Sequence, residues 1–489
     1  MKRIALVTIG TQGDVQPYLA LAIALKERGY SVVLGASEEF QPMVEGYGIE
    51  FHTLGPSIQG FLTQQRFENA MSQSMLINGP SLLRQGQQIV DTAARHAWNM
   101  CQGADMLILN MNTSFGIDIA EALHIPAIMV ALQPLNSTSE FPLCMYYGAD
   151  FGPAFNKLTY TAMTVQQIYY NLPRNKLRRE LMGLDARKKG GFFRNTDGTS
   201  LTTLYAYSPV VSPRPRDWPK SAIVTGYWQL KDRTDWQPSP AFQQFLSEGE
   251  APVYIGFGSM PFGAERNTKI LKEAVEMWGG RAVVARGWGG INPHDLPDTI
   301  FAIEKAPHDK LFKYVSAVVH HGGAGTTSAG LHLGRPTFVV PQTVDQPYWG
   351  HRVYELGCGP KPVRLRKLTS EILAGALRTN QFNALLAFYK AALAPLGYNV
   401  MMEYPGAAGL GREYPDFWLG ADEKGGSNIH LAFKTNDRAT VDAFYAAALA
   451  NGGKDNGPPG LRDYTPNYYA AFVHDPDGNN LEIVCQSEG

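Results

Sequence analysis

The sequence predicts an α/β fold made of two facing Rossmann-like domains, followed by a small C-terminal α+β module of the βαβββ type. Three observations lead there. Apolar strand-like runs alternate with helical patterns in two separate series, over residues 3–132 and 253–340. A proline- and tryptophan-rich stretch separates them, and after about residue 378 the pattern changes to short strands around repeated helices. Strand–helix alternation is the mark of parallel sheets, whereas the last pattern suits a separate unit. A chain of 489 residues exceeds one ordinary core. The predicted domains are 1–232, 233–380 and 381–489.

Taken in order, residues 3–9 form a β-rich run that ends in a glycine-rich turn at 10–13. A helix is predicted over 17–26, with Pro17 in its first turn, where a missing N–H costs nothing. Gly29 stops it and 31–34 is the next strand, a βαβ beginning. Alternation continues at 106–109, 118–123 and 127–132. The aromatic-rich stretch 141–194 is predicted as a helical excursion lining an apolar pocket. Residues 207–240 carry SPVVSPRPRDWPK and VTGYW; proline removes ladder donors and stiffens the chain, so this reads as a linker. The second series runs through 253–257, 270–277, 282–285, 317–320 and 337–340. Ligands of such sheets bind beyond the carboxyl ends of the strands, so an interdomain cleft is the expected site. In the tail, a helix at 382–396 precedes strands at 399–404, 407–412 and 416–419. A second round follows, with strand 428–435, helix 437–451 and strands 469–474 and 480–485 joined by the turn HDPDGNN. The order αβββ then βαββ reads as two copies of one unit, the first lacking its opening strand.

Composition narrows the chemistry. A net charge of −1 leaves no electrostatic footprint for nucleic acid or an anionic membrane. The four cysteines (Cys101, Cys144, Cys358, Cys485) form no CxxC pair, which argues against a structural zinc site or a disulfide framework and fits a reducing cytosol. The N-terminal apolar run stops at Gly10, unlike a secretory leader, and no run approaches the ~20 residues that span a bilayer. The expectation is a cytoplasmic protein.

Two segments carry chemistry. SAVVHHGGAGTTSAG (316–330) places glycines where a strand meets a helix, with Thr326 and Thr327 opening that helix. Free N–H groups and the positive dipole end suit a diphosphate, and His321 adds a hydrogen bond or a positive charge. A capped glycine turn beside a buried histidine would read the same way. In GTQGD, Asp14 is either a helix cap or a carboxylate able to accept a proton.

The run from Lys305 to Gly359, KAPHDKLFKYVSAVVHHGGAGTTSAGLHLGRPTFVVPQTVDQPYWGHRVYELGCG, resembles the donor-binding signature of UDP-dependent glycosyltransferases of the GT-B type. The similarity is to the branch of sterol glucosyltransferases and antibiotic-modifying enzymes. GTQGDVQPYLALAIALKERGYSV, VTGYW and FGSM stand in that branch's order, so the resemblance spans residues 1–378. It implies inverting transfer of a hexose, glucose foremost, from a UDP-sugar co-substrate to a hydroxyl of an apolar sterol, polyketide or flavonoid, with no cofactor and no metal. Asp14 is then the general base. Ser259, His308, His321, Gly323, Gly325, Thr326 and Thr327 hold the donor, and Asp345 and Gln346 bind the sugar hydroxyls. Many relatives set a second acidic or polar residue after the strand near Leu109. This chain has Asn110 and Asn112, which are assigned to orienting the base or meeting the acceptor. Glu304–Lys305 stands where plant relatives stack a tryptophan on the nucleobase.

FYKAALAPLGY, NIHLAF, FYAAALANGG and NYYAAFVHDPDGNNLEIVC make the tail resemble the glyoxalase–dioxygenase (vicinal oxygen chelate) superfamily. Its metal-bearing members take two ligands from each unit. His430 and Glu482 occupy the positions of the second unit and the first unit shows none, so no metal is expected. The rival reading makes this module the working part, a metalloenzyme or a ligand-sequestering domain. A sugar-nucleotide epimerase on the same two-domain plan is another alternative, and a catalytically dead binding protein is a third.

Overall fold

A computed structural model of the chain describes all residues except 57–74, 149–151, 188–190, 259–262, 286–295, 305, 343, 405–406, 421–429, 477 and 488–489. The described residues group into two units, Met1–Asp232 with Gly323–Ser328 and Thr343–Tyr348, and Arg233–Gly322 with Ala329–Gln342 and Trp349–Gly489.

The first unit is built on strands β1 (Arg3–Val7), β2 (Ser31–Ala36), β3 (Glu50–Thr53), β4 (Met106–Asn110), β5 (Ala127–Ala131), β6 (Thr203–Tyr205) and β7 (Ala222–Val224). They form a parallel sheet in the order β3-β2-β1-β4-β5-β6-β7. Alternation along β1 divides the core. Ala5 and Val7 pack with Ala93, Ala94 and Ala97 of the helix Met75–Met100 and with Ile117 and Ile119 of the helix Gly116–Leu123. Ile4 and Leu6 pack with Val15, Tyr18, Leu19 and Ala22 of the helix Gln12–Glu27. Both faces are covered, which explains strands apolar on both sides.

Two expectations need correction here. The first helix starts at Gln12, so Pro17 lies inside it; the helix begins as soon as the glycine turn ends, and the proline forgoes one hydrogen bond in its second turn. The stretch expected to be a linker is packed instead. Trp218 is buried, its ring stacks on Tyr205 at 4.4 Å, and β7 extends the sheet. The prolines of this stretch fall outside β7, so none removes a donor from the sheet. The excursion over 141–194 is helical at Pro153–Thr159 and Thr161–Leu181, and the second helix buries Arg174 and Arg178.

In the second unit β8 (Val253–Gly256), β9 (Ala282–Ala285), β10 (Ile300–Ile303), β11 (Ala317–His320) and β12 (Thr337–Val339) form a parallel sheet, β10-β9-β8-β11-β12. Val253, Ile255, Val284 and Val319 pack with Ile270, Leu271 and Val275 of the helix Ala264–Trp278 and with Leu373 and Leu377 of the helix Ser370–Ala392. The antiparallel set β13 (Asn399–Tyr404), β14 (Ala407–Gly411) and β15 (Pro415–Gly420) follows. Last come β16 (His430–Thr435), β17 (Lys454–Asp455), β18 (Gly460–Leu461), β19 (Tyr469–His474) and β20 (Asn480–Cys485). There β16 runs parallel to β20; among the described residues β15 has no such partner, as a missing opening strand requires.

Helix Ser370–Ala392 corrects the expected break near residue 378. Its first half belongs to the second sheet's core, and Phe382, Leu386, Phe388, Tyr389 and Ala392 belong to the core of the tail. No proline or glycine stop falls between the halves, so one helix serves both. Asn380, fully buried between the two cores, has neither amide atom bonded among the described residues. An unsatisfied buried amide costs roughly 1–3 kcal/mol, so Asn380→Leu is expected to stabilise the chain by about 1 kcal/mol. Thermal unfolding of the full chain measures it.

Candidate active site

In both sheets the chain runs outward from the first strand and then returns to its other side. The switch points are therefore β1/β4 and β8/β11. Such points open a crevice at the strands' carboxyl ends. The segments singled out in the sequence lie there: Gly10–Asp14 follows β1, Asn110 and Asn112 sit at and after the end of β4, and the glycine turn follows β11.

At β1/β4, Asp14 is the third residue of its helix and reaches back to the residue before the helix. Thr11 donates to Asp14 Oδ2 from its backbone N–H at 2.7 Å and from its hydroxyl at 3.1 Å. A Cβ on Gly10 would lie 2.2 Å from Oδ2, so only glycine leaves room for this fold-back. Asn110, buried, donates from Nδ2 to Thr8 Oγ1 at 3.0 Å and to the Ile9 carbonyl at 2.9 Å. Its Oδ1 accepts the Thr113 N–H at 3.0 Å. Asn112 Nδ2 donates to the same Ile9 carbonyl at 3.0 Å, and Thr8 Oγ1 donates to the Asp14 carbonyl at 3.1 Å. The two asparagines thus hold the loop that carries Asp14. Burial lifts the Asp14 carboxyl above the usual carboxylate range, while the two Thr11 bonds pull against it. Tyr18 beneath is pushed up by burial and by the Asp14 charge, and its hydroxyl donates to the Val130 carbonyl at 3.2 Å.

Beside this loop Ile9, Ser37, Leu54, Gly55, Pro56, Ile89 and Ala93 line a small, mostly apolar pocket. The Thr53 carbonyl next to it is approached by His52 Nδ1 at 3.0 Å and His96 Nδ1 at 2.9 Å. Sequence reading missed both histidines, which are far apart in the chain and belong to no motif.

At β8/β11 the helix Ala324–His332 begins two residues before Thr326. Thr327 donates to the Gly323 carbonyl from its N–H at 3.0 Å and its hydroxyl at 2.9 Å. Its hydroxyl therefore serves the turn, whereas the first-turn amides of Ala324, Gly325 and Thr326 precede the helix's own ladder. Gly325 is exposed, and Gly323 and Thr326 are half-buried. His320 Nδ1 accepts the Gly322 N–H at 2.9 Å and shapes the bend, with Gly322 at φ 95°. His321 is half-buried and packed against Gly258, where φ is 80° and a Cβ would come within 2.9 Å of the ring. Burial drives His321 down to about 4, against a bond to the Gly256 backbone. His308, stacked on Phe312 at 4.7 Å, is likewise driven to about 4 by burial and by His321. Both rings are neutral near pH 7, which favours the hydrogen bond over the positive charge among the two contributions expected of His321. Ser259 lies outside the described residues. Asp345 is half-buried and Gln346 opens the helix Gln346–Glu355. The preceding Val344 has φ 53°, a left-handed conformation that a β-branched side chain resists. Valine gives no sequence signal of it.

In the tail, His430 Nε2 lies 3.0 Å from Glu482 Oε2, and the Tyr468 hydroxyl donates to Oε1. Both carboxylate oxygens have partners, and no group of three or more His, Cys, Asp or Glu suited to a metal gathers among the described residues. Two candidate ligands among the described residues are fewer than the three or more that a catalytic metal centre takes. No described helix is long and apolar enough to cross a membrane.

Comparison with known proteins follows the same divisions. Residues 4–142 match the Glycosyltransferase family 28 N-terminal domain, and residues 283–385 match the Erythromycin biosynthesis protein CIII-like C-terminal domain. Residues 372–483 match the Glyoxalase/Bleomycin resistance protein/Dioxygenase superfamily. The last two matches overlap at 372–385, on the helix shared by two cores. A sterol 3-beta-glucosyltransferase of Arabidopsis thaliana is 33% identical over 393 residues, covering 77% of this chain and 62% of that protein. One of Cryptococcus neoformans var. neoformans serotype D is 34% identical over 406 residues, covering 77% and 25%. The chain thus spans only part of the length of these relatives. Among solved structures, the calicheamicin glycosyltransferase superposes with TM-score 0.56 at 17% identity, over 78% of this chain and 90% of that one. The glycosyltransferase SnogD from Streptomyces nogalater gives 0.52 at 19%, over 77% and 90%. These likenesses are of fold.

Proposed function

From a chain that joins the two domains of a GT-B glycosyltransferase to a glyoxalase-superfamily domain, we propose a UDP-sugar-dependent hexosyltransferase. It moves glucose to the hydroxyl of an apolar, sterol-like acceptor with inversion and without a metal. The proposed domains are residues 1–232 and 233–380, which carry the transfer, and 381–489, an accessory module. The observation that carries the reading is that both signature loops fall on the switch points of their sheets. The names of the relatives favour the acceptor class.

In the proposed reaction the acceptor O–H gives its proton to Asp14 as its oxygen forms a bond to the anomeric carbon. The bond from that carbon to the diphosphate breaks, and its electron pair leaves with UDP. The amides of Gly325 and Thr326, with Gly323 at the bend, meet the developing charge at the helix start. His321 and His308, neutral near pH 7 before the donor binds, supply hydrogen bonds there; Ser259 is assigned from the resemblance alone. Thr327 holds the turn, and Asp345 and Gln346 take the sugar hydroxyls. Incubation with UDP-glucose and a 3β-hydroxysterol should add one hexose, read by mass spectrometry. Absence of hexose transfer across a panel of apolar acceptors and UDP-sugars would sink the reading.

A diphosphate beside His321 favours its protonated form, so binding should draw in a proton. UDP affinity is therefore expected to rise as pH falls from 7 to 5. Calorimetry in buffers of different ionisation heat should show net proton uptake; a flat affinity with no uptake would remove His321 from the diphosphate.

A further inference from the structure

We infer that Thr11 is a positioning residue for transfer: it holds Asp14 Oδ2 through two donors and leaves Oδ1 as the oxygen that takes the acceptor's proton. This rests on the reading of Asp14 as the base. A carboxylate at the third position of a helix commonly reaches back to the residue before the helix, and this alone would be a cap. Here the cap and the base are the same group, and the geometry divides its two oxygens between the tasks. Oδ2 receives the Thr11 N–H at 2.7 Å and hydroxyl at 3.1 Å, while Oδ1 has no bond to a described residue. Gly10 supplies an independent constraint, because the space a Cβ would need there is filled by Oδ2. The carboxylate is thereby fixed in one rotamer. Behind it, Thr8 fixes the Asp14 carbonyl and is itself held by Asn110.

The division balances two opposing demands. Proton acceptance favours a carboxyl lifted by burial, whereas orientation needs donors that lower it; Thr11 provides the second without covering Oδ1. The titratable group in electrostatic contact with Asp14 among the described residues is Tyr18, which burial keeps protonated. Acidic onset of turnover therefore reports Asp14 and its Thr11 bonds.

The test compares Thr11→Val and Thr11→Ser in the full chain, with UDP-glucose and a 3β-hydroxysterol. Valine keeps the backbone donor and loses the hydroxyl. Its acid limb in kcat/KM should move up by roughly half to one pH unit, and kcat should fall about tenfold with both KM values unchanged. Serine should remain within about twofold of the parent. A carboxyl ¹³C titration, with Asp14→Asn to assign the signal, should show the same upward shift without turnover. A cap with no catalytic part would lower only the melting temperature. An unmoved acid limb in Thr11→Val, or equal losses in Val and Ser, overturns the inference. Turnover surviving in Asp14→Asn overturns the base reading beneath it instead.

Discussion

Asp14→Asn is expected to lower turnover by about a hundredfold to ten-thousandfold, the range over which a positioned general base acts, with UDP-sugar affinity nearly unchanged. Asparagine has the same shape and offers an oxygen to the two Thr11 donors, so the loop after β1 keeps its form. What it lacks is any capacity to accept the acceptor's proton. In the proposed reaction the donor is held by another segment, the turn between His321 and Thr327, and its contacts do not depend on the carboxylate. Steady-state kinetics and UDP-sugar calorimetry on the same preparation separate the two quantities. A variant that turns over normally would remove Asp14 from the chemistry; one that loses donor affinity as strongly as rate would point to a collapsed loop. Burial gives this test a pH component. Because the carboxyl is raised above its ordinary value, the parent enzyme should lose activity on acidification earlier than a solvated aspartate would require.

What could be read from the sequence was whatever backbone chemistry forces to be local. A strand that must turn sharply into a helix needs glycine, so the loops after β1 and β11 were visible as GTQGD and HHGGAGTT, and parallel sheets showed as continuous apolar runs. Asn110 and Asn112 were found through the resemblance, which sets a polar residue near the end of that strand, although their partners, Thr8 and the Ile9 carbonyl, were not. The sequence left His321 open between a hydrogen bond and a positive charge because burial depends on tertiary surroundings: the chain near it shows a loop histidine, while the fold packs it against Gly258. The strain at Val344 was equally hidden. The sequence reading began the tail's helix only at residue 382, whereas the helix Ser370–Ala392 starts twelve residues earlier, because its apolar residues change face where they pass from one core to the other. That change reads as an interruption of periodicity, not as one helix meeting two partners.

The histidines also set the acid limit of the second sheet. His308 and His321 sit near 4 in the folded chain, and His320 is held well below its ordinary value. An unfolded chain takes up those protons near pH 6.5 and the folded one does not. Stability is therefore full above that value and declines as pH falls toward 4. UDP, by stabilising a protonated His321, should offset part of that decline.

Asp118→Asn is expected to destabilise the first unit by about 3–5 kcal/mol, the cost of leaving buried charges unpaired, and more than Arg174→Leu does. Asp118 is 1% exposed at its side chain and receives the Arg174 guanidinium, Arg178 Nη1 at 2.6 Å and, farther off, Arg187 Nη1 at 3.8 Å. Arg178 also meets Glu121 at 2.6 Å. Three guanidiniums thus face two carboxylates, and the strain of that excess shows in Arg187, which burial and the nearby Arg174 charge push down to about 10. Removing Asp118 leaves three cations against the half-exposed Glu121, whereas removing Arg174 leaves two against two. Charge balance, not the number of bonds lost, therefore orders the two variants, and urea unfolding of each against the parent measures the order. A larger loss in Arg174→Leu would mean that packing of the helix Thr161–Leu181 outweighs its electrostatics. The cluster also bears on function, because helix Gly116–Leu123, which carries Asp118, starts three residues after Thr113, the partner of Asn110. Loosening that helix should free the asparagine clamp on the Asp14 loop. Asp118→Asn is accordingly expected to lower kcat at temperatures where the chain is still folded, with UDP-sugar affinity unchanged.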